Sequence, residues 1–184
     1  MNLLLRKVFH QFRHFLPVWL AMLLTAWLPD NRLSIRIRGA IVSLFLPGRP
    51  KRLLLGRDVT LLGIHGLSIG THAYFAKGCW INAHGGLTVE DEVKLSPYVV
   101  IATTNHTFKR GSVTGGGIHY SEVKIGRGSW IGSHSTVTAG VTIGTGCIVG
   151  ANSVVTKDIG NNTLVGGVPA KIIRPREEQP GVSS

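Results

Sequence analysis

From Ile125 to Gly160 the chain repeats every six residues. Ile125, Ile131, Val137, Ile143, Val149 and Val155 hold the first place of successive sixes. Gly126, Gly132, Thr138, Gly144, Gly150 and Thr156 hold the second. The fifth holds Ser129, Ser135, Val141, Cys147, Ser153 and Ile159. A fixed hexapeptide period predicts a parallel β-helix, in which each six is one short strand and one tight corner. β-branched residues suit such strands, and at one place per side they stack on their counterparts one coil away as an interior column. The fifth place also points inward and is usually small in a narrow prism. Glycine in second place is expected to supply the backbone conformation of the corner. A single coil cannot bury its apolar face, so stacking holds the fold together.

The same period runs upstream with interruptions. Ile69, Phe75 and Ile81 open three sixes, two extra residues shift the frame, and Val89, Leu95 and Ile101 resume the phase of the central stretch. From Thr107 to Lys124 the pattern fails until its last unit. Lys109-Arg110-Gly111-Ser112-Val113-Thr114-Gly115-Gly116-Gly117 is too polar and Gly-rich for a core. One such loop in a regular solenoid makes room for function. The reading is an all-β solenoid domain over 53–176, a parallel β-helix with a loop protruding near 107–122. A flexible charged tail follows at 177–184.

Residues 1–52 follow another pattern and are read as a basic, apolar helical segment. Arg6, Lys7, His10, Arg13 and His14 precede an apolar run from Phe15 to Leu28. No small-x-small cleavage site follows it, and it is shorter than the ~20 residues a membrane-spanning helix needs. Trp19 and Trp27 behind a basic cluster fit a helix lying in the membrane interface. Leu33 to Leu46 reads as a second amphipathic helix, with Arg36 and Arg38 among apolar residues, stopped by Pro47-Gly48. The alternative is that both helices pack on the solenoid end or on neighbouring subunits. Charge favours lipid. The net charge is +11, and ten of the twenty Lys and Arg precede Asp58, where the only acid is Asp30. That asymmetry points to an anionic partner. Nucleic acid is not expected, because no nucleic-acid motif accompanies the charge. Residues 1–46 are thus the expected peripheral membrane contact. The two cysteines, Cys79 and Cys147, both fall in the inward fifth place and read as small core residues.

His106 ends a regular coil and opens the loop. A histidine there faces a cleft and can act as a general base near neutral pH. Its neighbours sharpen the reading. Asn105-His106, the loop, Val123-Lys124-Ile125-Gly126-x-Gly128-x-Trp130-Ile131-Gly132-Ser133, Ala151-x-Ser153-Val154-Val155-Thr156-Lys157-Asp158-Ile159 and Gly167-Val168-Pro169-Ala170-Lys171-Ile172-Ile173-Arg174 stand in order. Over about 53–176 this set resembles the hexapeptide-repeat acetyltransferases. The nearest branch holds galactoside and maltose O-acetyltransferases and many polysaccharide and O-antigen acetyltransferases. The resemblance implies a left-handed β-helix, against the usual crossover hand, and a homotrimer with active sites between subunits. It implies acetyl-CoA as acyl donor, with no metal expected. His106 would deprotonate an acceptor hydroxyl. Trp130 would line the acetyl and pantetheine channel, bordered by Ser133, Ala139, Gly140 and Ala151. Thr156, Lys157, Lys171 and Arg174 would meet the adenine and phosphate end, where cations suit phosphate.

The departures concern the acceptor. Sugar-specific members carry Asn where this chain has Ala76 and Asp where it has His84. An acid late in the loop corresponds here to Gly117, leaving Glu122 as the loop's only acid. Asn82, His84 and His119 are candidate acceptor contacts. The expected activity is O-acetylation of a sugar, on a surface polysaccharide or its lipid-linked precursor, at the cytoplasmic face of the membrane. The alternatives are N-acetylation of an amino sugar, acetylation of a small hydroxylated molecule such as an antibiotic, and an inactive structural solenoid. A metal-dependent carbonic anhydrase on the same fold would need three histidine ligands, and the close histidine pair of that branch is missing after the loop.

Overall fold

The computed structural model describes residues 15–176. The basic cluster Arg6 to His14 and the tail 177–184 lie outside the described residues. Two helices lead into a parallel β-solenoid of about six coils, agreeing with the left-handed β-helix expected.

The helices are α1 (Leu16–Thr25) and α2 (Arg32–Ser43). Asn31 caps α2, its side chain accepting from the Leu33 and Ser34 amides at 3.1 and 2.9 Å. The helix stops at Ser43, short of Leu46. No helix among the described residues is long and apolar enough to cross a membrane. Both helices pack on the first coil. Gly39 of α2 lies against the Leu53 carbonyl, where any Cβ would collide. Of the two arginines in the amphipathic stretch Leu33 to Leu46, Arg36 is exposed and Arg38 is fully buried. Its guanidinium donates to Asp30 Oδ1 at 3.1 Å, Leu55 O at 2.8 Å, Thr25 O at 3.2 Å and Leu28 O at 3.1 Å. The Thr25 carbonyl closes α1, where the helix dipole is negative and favours a cation. One arginine therefore ties both helices to the solenoid, and a buried charge is tolerable because it is paired and bonded.

The first coil is β1 (Leu54–Leu55), β2 (Thr60–Leu62) and β3 (Leu67–Ile69); the second is β4 (Tyr74–Phe75), β5 (Trp80–Asn82) and β6 (Leu87–Val89). The third runs through β7 (Lys94–Leu95) and β8 (Val100–Ala102), leaves the prism as β9 (Thr104–His106) and β10 (Ile118–Tyr120), and returns at β11 (Val123–Ile125). The fourth is β12 (Trp130–Ile131), β13 (Thr136–Val137) and β14 (Thr142–Ile143). The fifth is β15 (Ile148–Val149) and β16 (Val154–Val155), closed by a bridge from Ile159 to Ile143. Then come β17 (Thr163–Gly166) and β18 (Lys171–Pro175).

Like sides stack into three faces. The first is β1-β4-β7-β12-β15-β17 with β18 antiparallel at its end; the second is β2-β5-β8-β13-β16; the third is β3-β6-β11-β14. Leu55, Phe75, Leu95, Ile131, Val149 and Val165 form one interior column in continuous register, all buried. The fifth-place residues fill the remaining space. Ser129 and Ser135 donate to the Gly144 and Gly150 carbonyls one coil on, each at 2.8 Å. Cys79 and Cys147 are buried and unpaired, and burial pushes the Cys79 thiol up to about 11.

The corner conformation belongs to the fourth place, not the second. Asp58, His72, Glu92, Tyr98, His134 and Asn152 all have φ between 56 and 63°. The second-place glycines Gly126, Gly132 and Gly144 have no positive φ. They are needed for close approach: a Cβ on Gly132 would sit 2.6 Å from the Ala151 amide nitrogen. Gly132→Ala is therefore expected to force two coils apart and cost about 1–3 kcal/mol. Gly160→Ala, with nothing within 4 Å of the added carbon, is its control. Urea unfolding of both variants checks this, and equal midpoints would show that coil spacing does not require the glycine.

Candidate functional site

The third coil departs from the prism between the second and third faces. The departing segment is not a formless loop. It folds as an antiparallel ribbon, with His106 opposite Ile118, Asn105 opposite His119 and Thr104 opposite Tyr120. The Thr107 amide donates to Gly117 O at 2.9 Å and continues the ladder. At the tip, Lys109 and Ser112 exchange backbone bonds at 2.8 and 3.1 Å. Side chains alternate along a strand. His106 and Thr104 thus share one side of the ribbon, and Asn105 and His119 take the other. His119 is an exposed ribbon residue that does not share a face with His106.

Asn82 and His84 do reach the side of the histidine. Asn82 Nδ2 donates to Thr104 Oγ1 at 3.1 Å. Asn82 Oδ1 receives the His84 amide at 3.1 Å and lies 2.8 Å from His84 Nδ1. The His84 ring meets the His65 ring edge-on at 6.0 Å. Thr103, buried at the base, donates to Asn82 O and accepts from the Gly85 amide, each at 2.8 Å. A polar shelf made by the second coil therefore lies beneath the strand that carries His106. His106 is exposed, and no side chain among the described residues bonds it. Glu122 is committed elsewhere: Thr88 donates to it at 2.9 Å and Lys124 lies 3.4 Å from it. Ala76 is buried and offers no acceptor contact.

The same edge carries further expected residues. Ala139 and Gly140 form the corner of the fourth coil, with Gly140 packed beside Ser121 at the foot of the ribbon. Thr156 and Lys157 form the next corner and are exposed. The remaining residues lie elsewhere. Trp130 stands on the first face, half exposed, and its indole N–H donates to Ser96 Oγ at 2.7 Å. Ser133 and Ala151 occupy successive corners between the first and second faces, joined by a 2.9 Å bond from Asn152 N to Ser133 O. Lys171 and Arg174 lie on β18, at the far end of the first face.

Around Trp130 is a cleft of about 480 Å³ lined by Tyr74, Lys94, Ser96, Ile148 and Arg176 among others. Lys94 and Arg176 contribute positive charge to it, and Glu92, which also lines it, pairs with Arg127 at 3.2 Å. Burial, with Asp30 as a smaller cause, raises the Tyr74 phenol above its usual range. Sequence reading missed Ser96 and Lys94. The signal was in the register: Trp130 lies beside Lys94 one coil below, which becomes visible once the ribbon is excised from the count.

In a triangular prism, the edge between two faces lies opposite the third face. The His106 edge and the Trp130 face therefore point away from each other, and one chain does not bring them together. Six of the eight histidines of the chain lie among the described residues, and their chemistry is dispersed. Arg52 reaches His72 at 3.0 Å and His134 stacks on Tyr98 at 5.0 Å. No group of three His, Cys, Asp or Glu side chains among the described residues is placed to hold a metal ion.

Comparison with known proteins gives the fold its relatives. Residues 122–157 match the family model of the bacterial transferase hexapeptide (six repeats). The galactoside O-acetyltransferase of Escherichia coli (strain K12) is 39% identical over 88 residues, which are 48% of this chain and 43% of that protein. The chain thus aligns with less than half of that relative's length. Among solved structures, a maltose O-acetyltransferase from Clostridium difficile 630 is 28% identical, with a TM-score of 0.74 over 88% of this chain and 85% of that one. A hexapeptide-repeat-containing acetyltransferase from Vibrio cholerae O1 biovar eltor, complexed with acetyl coenzyme A, has a TM-score of 0.76 over 88% and 86%. At 23% identity it speaks to the fold alone.

Proposed function

We propose that this hexapeptide-repeat protein transfers an acetyl group from acetyl-CoA to a hydroxyl of a sugar, as a homotrimer whose active sites lie between subunits. One observation carries the reading. The histidine edge and the tryptophan cleft are two half-sites on opposite sides of one prism, so three copies around an axis could set each edge against a neighbour's cleft. The names of the similar galactoside and maltose enzymes support the acyl chemistry and a sugar acceptor.

In this reading His106 takes the proton of the acceptor hydroxyl as its oxygen attacks the thioester carbonyl carbon. The new ester forms, and the proton goes to the departing CoA thiolate. Asn82 and His84 hold the acceptor beside His106. Trp130 covers the acetyl end and pantetheine arm, with Ser133, Ala139, Gly140 and Ala151 bordering it. Thr156, Lys157, Lys171 and Arg174 hold the phosphate end. Hydrogen-bond donors aimed at the developing oxyanion are usually the largest contribution to acyl transfer, and Ser133 or a neighbouring backbone N–H is assigned that part.

The acceptor is assigned to a surface glycan or its lipid-linked precursor, reached from the cytoplasmic face of the membrane through α1 and α2. Leu24, Trp27 and Leu33 are 71, 79 and 67% exposed, which suits apolar side chains lodged at a lipid interface. The test is transfer from acetyl-CoA labelled in the acetyl group to a panel of oligosaccharides and lipid-linked glycans. Label that enters an acceptor and leaves in mild alkali is an ester. Alkali-stable label would mean an amine acceptor and overturn the hydroxyl assignment.

A further inference from the structure

A second cleft, of about 830 Å³, opens where α2 lies over the first coil. Arg36, Arg49, Lys51, Arg52 and His72 line it, and no acid does. None of these four Arg and Lys residues pairs with a carboxylate among the described residues, whereas Arg38 pairs with Asp30, Lys77 with Asp58, Lys124 with Glu122 and Arg127 with Glu92. The turn that presents the basic group is tight, with φ of 46° at Arg49 and 56° at Arg52. Arg52 reaches His72 across it at 3.0 Å.

The other walls are apolar. Ala40, Leu44, Leu53 and Leu54 line the same cleft. Leu44 also ends a ridge along α2 with Leu33, Ile37 and Ile41, spaced by three and four residues on one side of the helix, all exposed. The cationic pocket therefore opens beside an apolar ridge left exposed among the described residues. α1 adds Trp19, Leu23 and Leu24, and the turn after it adds Trp27, all exposed. Arg36, Arg49, Lys51, Arg52 and His72 are exposed around the mouth, while Pro50 and Leu53 are buried beneath it. Exposed cations beside exposed apolar surface are the complement of an amphiphile with an anionic head.

We propose that this cleft binds the phosphate headgroup of a membrane lipid, with the acyl chains running out over the α2 ridge. Several Arg and Lys donors converging on one pocket match phosphate oxygens in charge and in hydrogen bonding. The inference rests on the reading that α1 and α2 face lipid. It places a specific headgroup site where interfacial helices alone would need only general charge.

The experiment uses the full chain and dihexanoyl phosphatidate below its micelle concentration, so that no bilayer is involved. Calorimetry is expected to show saturable binding by the wild type. Arg49→Gln with Arg52→Gln, and separately Arg36→Gln, should each weaken it about tenfold or more, a loss of roughly one charge-assisted contact. Lys109→Gln with Arg110→Gln removes the same charge from the ribbon tip and should leave it unchanged. Inorganic phosphate should bind at least about tenfold more weakly than the phosphatidate, because it gains nothing from the apolar rim. The proposal is overturned by no saturable binding, by pocket variants that bind like wild type, or by inorganic phosphate binding as tightly. Acetyl-CoA titrations of the same proteins test the transferase reading separately. Retained acetyl-CoA binding with no phosphatidate binding would remove the headgroup site and leave the enzyme.

Discussion

His106→Ala is expected to lower acetyl transfer by about 10²-fold or more while acetyl-CoA still binds, if, as proposed, the residue serves in proton transfer rather than in holding the donor. The position allows a clean substitution. His106 is exposed on a protruding ribbon and bonds no side chain among the described residues, so its loss leaves the solenoid core untouched. The backbone ladder from Thr104 to Thr107 uses main-chain atoms and survives the change. A steady-state assay of CoA thiol release, paired with acetyl-CoA calorimetry, separates the two steps. Turnover within a few-fold of wild type would take His106 out of the mechanism. Equal loss of rate and of acetyl-CoA affinity would make it a donor contact instead.

The second large effect is expected in mixtures. At an acetyl-CoA concentration well below saturation, His106→Ala should be nearly silent alone and Trp130→Ala should keep about a tenth of the rate or less. If each active site takes its histidine from one chain and its tryptophan from the next, trimers assembled from both variants contain some intact pairs. Random assembly of equal amounts restores roughly a quarter of wild-type sites in a closed ring of three. Unfolding and refolding the two variants together, then comparing their activity with that of unmixed samples, provides the measurement. A mixture no more active than its parts would place both residues in one chain's site or make one of them irrelevant. The geometry argues otherwise, because Trp130 sits on the first face while His106 leaves from the opposite edge.

How far the sequence could be read follows from what each feature depends on. The hexads are visible because stacking demands the same residue type at the same place in every coil. That requirement also placed Cys79 and Cys147 in the core. The second-place glycines serve close approach and not the corner, and spacing between coils is not written along one coil. A glycine needed for close approach and one needed for a left-handed corner look alike in a sequence. The fourth place, where the left-handed φ occurs, carries Asp, His, Glu, Tyr, Asn and Gly and has no single residue type to betray it.

Arg38 illustrates a second kind of gap. The amphipathic pattern of Leu33 to Leu46 does not distinguish it from Arg36, because besides Asp30 its acceptors are the backbone carbonyls of Thr25, Leu28 and Leu55. Backbone acceptors leave no mark in the side-chain pattern. The candidate site was legible residue by residue through the resemblance, yet its division between two sides of the prism was not. That division depends on how successive hexads wrap around the prism, and the ribbon between Ala102 and Val123 breaks the regular step between stacked coils, so that Trp130 pairs with Lys94. The same disruption concealed Lys94 and Ser96 beneath Trp130, and the alternation of the ribbon separates His119 from His106.

Acetyl-CoA binding is the most direct test of the central claim, measured by calorimetry on wild type beside Trp130→Ala and Lys157→Ala. The account predicts micromolar-range binding to wild type, weakened by about tenfold or more in each variant, because the two residues hold opposite ends of the donor. No binding at millimolar acetyl-CoA, or binding indifferent to both substitutions, would contradict it and leave the hexapeptide motifs as scaffold.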